Sequence, residues 1–191
     1  MDPSFPRGVW PPNLRDLTIG KLKKPISKWG PQNFPTSLVT LRLYGGEDGV
    51  SSCRQFSDLF PSSLTYLEIT GFEKLESVSE GIQHLTSLKE LDFYGCHNLK
   101  KLSYLQHLQH LRFDECPNMM ELPEELLPSL LSLRIWYNCP KLKERCSERG
   151  HMIALISERV MVVFSKRKIM QAPKFQSGTK KEKCNMCHNQ L

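Results

Sequence analysis

The residues with the most distinctive chemistry stand near the end of the chain, where Cys184, Cys187 and His188 form a Cys-x-x-Cys-His motif. That spacing is found in covalent haem attachment and in half of a zinc site. Haem attachment requires export, and the chain opens without an apolar signal sequence. A zinc site requires a second pair of ligands, and the nearest cysteine, Cys146, lies 38 residues earlier. We therefore predict no metal ion and no cofactor, and interpret these residues as incidental in a disordered tail.

The remaining sequence does not indicate catalytic groups either. Its six histidines share no common partner. The carboxylates that would cluster, Glu68, Glu90 and Asp92, are flanked by Arg42 and Arg112 in the arrangement described below. Ion pairing accounts for such a cluster better than acid–base catalysis does. We predict that the protein is not an enzyme and has no small-molecule substrate.

The pattern that positions these side chains is an apolar spacing that occurs six times: Leu, a second Leu three residues later, then Leu, Ile or Phe after two more. Successive first leucines lie 24, 26, 24, 20 and 22 residues apart, within the period of about 20–29 residues of leucine-rich repeats. The second and third positions point to one face of a short strand. The six copies are Leu14/Leu17/Ile19, Leu38/Leu41/Leu43, Leu64/Leu67/Ile69, Leu88/Leu91/Phe93, Leu108/Leu111/Phe113 and Leu130/Leu133/Ile135.

These repeats predict the fold class and the domain organisation. One coil cannot bury its own apolar face, so the coils must stack into a solenoid. We predict an α/β-type solenoid, a right-handed leucine-rich repeat horseshoe with short parallel strands on its concave face and an irregular, 3-10 or briefly helical convex side. The repeats span 12–146, a C-terminal flank or cap spans 147–164, and a basic disordered tail spans 165–191.

A turn that contains Gly or Cys follows each strand. The eighth residue after the first leucine is Cys96, Cys116 and Asn138 in the last three coils. In leucine-rich repeats this position turns inward, where the side chain caps backbone groups of the turn. We therefore predict that Cys96 and Cys116 are buried and reduced and that Asn138 points inward. Reduced thiols and the lack of a secretory signal favour the cytosol or nucleus.

The side chains that alternate with the buried ones form the second face of the sheet, called the open face below. Convex segments cover only one side of a parallel sheet, so solvent reaches this one. Its middle column is charged and flanked by aromatic residues, and Tyr, Trp and Arg anchor protein interfaces. Ion pairs that merely keep the face soluble are the alternative interpretation. The pattern also places Asp114 and Ser132 here. The predicted partner contacts are Arg42, Tyr44, Tyr66, Glu68, Asp92, Tyr94, His110, Arg112, Arg134 and Trp136.

The distribution of charge argues against other partners. Residues 165–191 carry seven basic side chains and one acidic side chain, whereas the rest carries 19 of each sign. The neutral repeat region gives no reason to expect nucleic-acid binding. The tail is interpreted as a solvated segment rather than a site for nucleic acid or anionic lipid. The longest apolar stretch, 152–164, is interrupted by Glu158 and Arg159 and is too short to span a bilayer. We expect no membrane partner.

The turns carry a family resemblance. The last coil reads Leu-Arg-Ile-Trp-Tyr-Asn-Cys-Pro-Lys-Leu-Lys-Glu-Arg-Cys over 133–146, and the fifth contains Phe-Asp-Glu-Cys-Pro-Asn-Met from residue 113. Over roughly residues 12–157 the chain resembles the leucine-rich repeats of plant nucleotide-binding leucine-rich repeat (NBS-LRR) disease-resistance proteins. The resemblance implies a protein-binding region that recognises a pathogen effector, restrains the receptor's own nucleotide-binding domain, or does both.

One departure from that family affects the interpretation. No Gly-x-x-x-x-Gly-Lys-Ser/Thr phosphate-binding loop occurs in the chain. We therefore interpret it as a fragment of such a receptor without the nucleotide-binding domain. Two alternatives stay open: a leucine-rich repeat scaffold or adaptor, such as the substrate-recognition arm of a ubiquitin ligase, and a non-functional gene fragment.

Overall fold

The computed structural model describes residues 10–20, 34–45, 60–78, 80–146 and 161–164 of the 191-residue chain. Short strands alternate with turns along these ranges. The strands are β1 Asp16–Ile19, β2 Thr40–Tyr44, β3 Tyr66–Thr70, β4 Ser77–Val78, β5 Glu90–Tyr94, β6 Lys101–Leu102, β7 His110–Asp114, β8 Ser132–Ile135 and β9 Met161–Phe164. The helical segments are the 3-10 helices Glu80–Ile82 and Glu124–Ser129 and the α-helix α1 Pro140–Arg145.

The strands that carry the repeated spacing lie side by side in one parallel sheet. Its seven strands follow the order β1-β2-β3-β5-β7-β8-β9. The second leucine of each coil faces the second leucine of the next, as in the Leu67↔Leu91 and Leu91↔Leu111 pairs. The fold is therefore a parallel-strand solenoid, and the six predicted strands are confirmed in position and direction.

The core lies on one side of this sheet. Leu67, Leu91 and Phe93 are completely buried, whereas the residues between them along each strand are not. The rings of Phe93 and Phe113 stack at 5.4 Å between centroids and 7° between planes, an arrangement that contributes beyond the burial of apolar area. The apolar residues of the repeated spacing therefore form the core as predicted, because each coil buries its apolar side against its neighbours.

The segments that return across the other side of the core are short and irregular, as predicted. Strands β4 and β6 form a two-stranded parallel sheet there, and Lys101 continues it through a single bridge to Glu121. The 3-10 helix Glu124–Ser129 buries Leu126 and Leu127. None of the helices in the described ranges has the length and apolar character that a bilayer crossing requires.

The turns after β3, β5, β7 and β8 share one construction, in which a residue of positive φ precedes a buried residue. The pairs are Gly71–Phe72, Gly95–Cys96, Glu115–Cys116 and Asn138–Cys139. Cys96 and Cys116 are buried and form no disulfide, as their turn position predicts. The prediction for Asn138 is wrong. Asn138 is exposed with a φ of 50°, which Asn tolerates better than most residues, and Cys139 points inward instead.

An additional residue in the last coil causes this shift. Trp136 donates its amide hydrogen to the carbonyl oxygen of Phe113 at 2.8 Å, and Glu115 donates its own to the carbonyl oxygen of Tyr137 at 2.8 Å. Trp136 and Tyr137 together therefore lie opposite the single residue Asp114. Two residues opposite one is the geometry of a β-bulge, and it moves the inward position from Asn138 to Cys139.

Strand β9 is an addition that the repeated spacing did not predict. It lies within 147–164, the segment interpreted as a terminal flank, and pairs in parallel with β8 so that Leu133 faces Val162. Val162 packs against the core, which turns its neighbours Met161 and Val163 toward the open face. The tail 165–191, including Cys184, Cys187 and His188, lies outside the described residues.

Candidate protein-binding face

The predicted contact residues all lie on strands of the seven-stranded sheet or directly after β8, alternating with buried side chains. None of them is buried. Tyr44 and Arg134 are the most exposed members of the set, and the other eight are half-buried. Half-burial follows from contacts between neighbouring coils, which hold most of these side chains in defined positions.

The middle of the open face is a network of two carboxylates and a tyrosine. The hydroxyl of Tyr66 lies 3.0 Å from Oε2 of Glu68 and 3.1 Å from Oδ2 of Asp92. Since a hydroxyl has one hydrogen, it donates to one carboxylate at a time. Arg42 pairs with Glu68 at 3.5 Å and lies over the Tyr66 ring at 5.2 Å. The Arg42 side chain is thereby held beside Glu68, whose charge it offsets.

The pKa values in this network reflect burial first. Burial raises the pKa of Asp92, and the charges of Glu68 and Glu90 add to the rise, while the Tyr66 hydrogen bond and Arg112 oppose it. Burial also raises the pKa of Tyr66, which the charges of Asp92 and Glu68 reinforce. Tyr66 therefore remains a hydrogen-bond donor at neutral pH. The geometry is that of a paired, rigid surface network.

Next along the sheet, Arg112 is enclosed by two aromatic rings. Its guanidinium carbon lies 3.7 Å from the centroid of the Trp136 ring and 4.7 Å from that of Tyr94. Each such cation–π contact contributes about 0.5–2 kcal/mol, depending on desolvation. The stack fixes an arginine and two aromatic side chains in one place on the open face. The direction of Trp136 follows from the β-bulge after β8, which points its ring toward Arg112.

A buried carboxylate lies next to this stack. Asp114 was predicted on the open face, but only 1% of it is exposed, and its Oδ2 lies 4.0 Å from Nη2 of Arg112. The bulge explains the difference, because Trp136 and Tyr137 both lie opposite Asp114. Neither carboxylate oxygen has a hydrogen-bond partner among the described residues. Burial raises the pKa of Asp114, and Arg112 opposes the rise.

Ser132 is the second residue that the sequence pattern placed incorrectly. It is buried, with 4% of its surface exposed, instead of lying in contact with solvent. Its Oγ is 2.9 Å from Nδ1 of His110, and Met161 of the additional strand β9 lies opposite it on the other side. A small side chain between two larger neighbours is covered by them, which the alternation of the sequence alone does not reveal.

Two members of the open face were missed by sequence reasoning. Met161 faces Ser132 and Val163 faces Arg134 in the sheet register. The alternation of Val162 and Phe164 resembles the last two positions of the repeated spacing, but Arg159 stands where the first leucine would be. Because of this substitution the repeated spacing did not predict strand β9. Only the alternation of Val162 and Phe164 could have indicated it.

The geometry therefore defines a class of protein: a leucine-rich repeat solenoid with one sheet face that none of the described segments covers and that is rich in charged and aromatic side chains. In the part of the chain that the structure describes, no group of three or more His, Cys, Asp or Glu side chains could hold a metal ion. A solenoid of this kind is a protein-interaction scaffold, because it offers a broad surface.

Comparison with known proteins agrees with this class. Disease resistance protein RPS6 from Arabidopsis thaliana is 30% identical over 107 residues, which are 54% of this chain; a second curated sequence of RPS6 gives the same values. The chain spans 9% of the length of these relatives. The resemblance to disease-resistance proteins that the turns indicated is thereby confirmed. No family model matches the chain.

One solved structure was also found in the comparison. The leucine-rich repeat domain of the type III effector XopL aligns with a TM-score of 0.35 at 17% sequence identity. The alignment covers 81% of this chain and 69% of that chain.

Proposed function

We propose that this chain is the protein-interaction region of a plant intracellular immune receptor, acting in the cytosol or nucleus. Its open face contacts a pathogen effector, the receptor's own nucleotide-binding domain, or each in turn. The observation that carries the proposal is the Arg112 stack: an arginine held between Tyr94 and Trp136 on a sheet face that no described segment covers. The similarity to RPS6 supports the immune setting.

The stack suits binding because its members are already ordered. Arg, Tyr and Trp dominate the energetics of protein interfaces, and a side chain fixed before binding loses less conformational entropy when the partner arrives. The charged network of Arg42, Glu68 and Asp92 would select partners by charge complementarity. A purely solubilising face has no need for an indole ring 3.7 Å from an arginine.

The test compares a variant that lacks the stack with one that lacks a contact elsewhere. R112Q/D114N/W136A removes the arginine and the indole, and the change at Asp114 avoids an unpaired buried charge. The matched control is R145A/E121A, which removes the exposed 3.1 Å ion pair between α1 and the convex side. The full chain is immobilised in each form, and the proteins that it retains from extracts of pathogen-infected leaves are quantified by mass spectrometry.

The expected result is that proteins retained by the wild type and the control are lost on the triple variant. They should include a nucleotide-binding receptor domain or a pathogen protein. Retention of the same proteins by the triple variant would contradict the proposed binding face. Retention of ubiquitin-ligase subunits instead would contradict the receptor assignment and favour the adaptor. Cooperative urea unfolding of all three forms verifies that the comparison is between folded proteins.

A further inference from the structure

We propose that the partner is held at the β8–β9 end of the open face, through a segment that carries a carboxylate beside a large apolar side chain. Arg134 binds the carboxylate, and Met161 and Val163 contact the apolar side chain. The inference rests on the proposed function, and it names the chemistry of the partner and the end of the face that it occupies.

Arg134 lacks a charged partner within the part of the chain that the structure describes. Arg42 pairs with Glu68, and Arg112 lies between two rings with Asp114 at 4.0 Å. By contrast, Arg134 is exposed and makes no ion pair and no ring contact with the described residues. It also faces Arg112 directly in the sheet register, and like charges in opposing positions are destabilising. An anionic group from outside would relieve that repulsion.

Apolar side chains that solvent reaches lie at the same end of the open face, beside Arg134. Met161, which lies on the open face of β9, is 54% exposed. Val163 is half-buried on the open face beside Arg134. Met161 and Val163 therefore lie side by side on the open face, opposite Ser132 and Arg134 of β8. An unpaired cation next to an apolar patch has the composition of an interface hot spot.

The strand geometry sets the spacing that the partner must match. Adjacent strands lie about 4.8 Å apart, and next-but-one residues of a strand lie about 7 Å apart. Val163 is opposite Arg134, and Met161 is two residues before Val163. A carboxylate on Arg134 therefore has Val163 as its near neighbour and Met161 as its diagonal neighbour. An extended partner segment can place a carboxylate at Arg134 and an apolar side chain at Val163 or Met161 if its acidic and apolar residues are one or two positions apart.

The positive charge at the β8–β9 end of the open face argues against a basic partner segment. His110, Arg112 and Arg134 follow one another across β7 and β8, and Asp114 beside them is buried. On the open face of β8 and β9 a basic segment would meet only cationic or neutral side chains, and the exposed carboxylate of Glu90 lies on β5, opposite His110. The carboxylates of Glu68 and Asp92 lie farther along the sheet, where Arg42 and Tyr66 already engage them.

The test uses a phage-displayed library of random peptides, selected on the full chain. Enriched peptides are synthesised, and their dissociation constants are measured by fluorescence anisotropy. The expected result is that they share Asp or Glu within two positions of Leu, Ile, Phe or Trp. Arg134→Glu and Val163→Asp should each weaken binding about tenfold or more. The matched control is Lys101→Glu, which reverses an exposed charge on the convex strand β6, and it should leave binding unchanged.

Val163→Thr, which keeps the branched shape of valine, replaces Val163→Asp if the aspartate variant does not unfold cooperatively. Peptides that are basic, or whose binding resists Arg134→Glu but is lost in R112Q/D114N/W136A, would overturn this inference and leave the proposed binding face intact. Peptides whose binding resists all open-face variants, or a library without binders, would contradict the proposed function as well.

Discussion

At the scale of single residues, the Arg112–Asp114 pair connects stability to the binding face. A carboxylate that is 1% exposed has lost its hydration, and the guanidinium 4.0 Å away is the cation that offsets it. The same guanidinium orders Tyr94 and Trp136 on the surface. Because one side chain serves both purposes, a substitution at Arg112 tests binding only when the buried charge is removed with it.

The first prediction follows from that pairing. Arg112→Ala leaves the Asp114 carboxylate buried without its cation, so the free energy of unfolding should fall by about 1–3 kcal/mol. R112A/D114N should recover most of this loss, since a neutral amide costs less to bury than a charge does. Urea unfolding of the two variants measures the difference. Equal stabilities would show that Asp114 does not depend on Arg112.

The second prediction concerns pH. Burial raises the pKa of Asp114 above its ordinary value of 3.8, so the folded state keeps this proton to higher pH than the unfolded chain does. The contribution to stability is therefore largest in acid, and it declines as the pH rises from the unfolded pKa through the folded one. The unfolding free energy of the wild type minus that of D114N should fall as the pH is raised from the unfolded value of 3.8 toward neutrality. A difference that stays constant or increases over this range would contradict the assignment.

At the scale of elements, the turns after the strands are held by buried thiols. The backbone amide of Cys116 donates to Sγ of Cys139 at 3.4 Å, and Sγ of Cys96 lies 3.6 Å from the carbonyl oxygen of Ile69 in the preceding coil. These weak hydrogen bonds join successive coils at one edge of the core. The role that the turn position predicted for Asn138 falls to Cys139.

The third prediction is that these thiols resist modification in the folded protein. Burial raises the pKa of Cys146 to about 11. For Cys139, hydrogen bonding with Cys116 and burial raise the pKa, so little thiolate forms at neutral pH. A maleimide reagent followed by peptide mapping should leave Cys96, Cys116, Cys139 and Cys146 unlabelled until urea unfolds the chain. Rapid labelling of Cys116 in the native state would contradict this packing.

The fourth prediction tests the core of a single coil. Leu91 is completely buried and faces Leu67 and Leu111 in the neighbouring strands. Leu91→Ala should lower the free energy of unfolding by roughly 2–5 kcal/mol through lost burial and the remaining cavity. Lys89→Ala, an exposed position just before the same strand, is the control and should change stability little. An unchanged urea midpoint for Leu91→Ala would place this side chain at the surface.

At the scale of the whole molecule, the repeated spacing accounts for most of the architecture. It predicts strand positions, their parallel direction and the buried residues, because each coil packs against its neighbours in the same way. It does not predict the bulge at Trp136 and Tyr137, since one additional residue after a strand leaves the apolar spacing unchanged. The burial of Asp114 and the inward position of Cys139 both follow from that bulge, and so they escaped prediction.

Strand β9 shows a second limit of sequence reasoning. Its residues alternate as the repeats do, but the first leucine is replaced by Arg159. The segment forms a strand because it pairs with β8, although it lacks the first leucine of the spacing. Such pairing depends on the neighbouring strand and cannot be predicted from the sequence of the segment itself. The open face was predictable as a surface, whereas its most exposed apolar residue, Met161 on β9, was not.

The central claim, that partners bind the open face, is tested most directly by hydroxyl-radical footprinting of the full chain with and without a captured partner. Oxidation reports on individual Met, Tyr and Trp side chains, and the chain offers both probes and controls. Met161 is 54% exposed on the open face, while Tyr104 and Met120, 42% and 39% exposed, lie outside it. If partners bind the open face, the bound partner should protect Met161, Tyr94 and Trp136 from oxidation and leave Tyr104 and Met120 unchanged. Protection of Tyr104 and Met120 without protection of Met161 and Trp136 would contradict it.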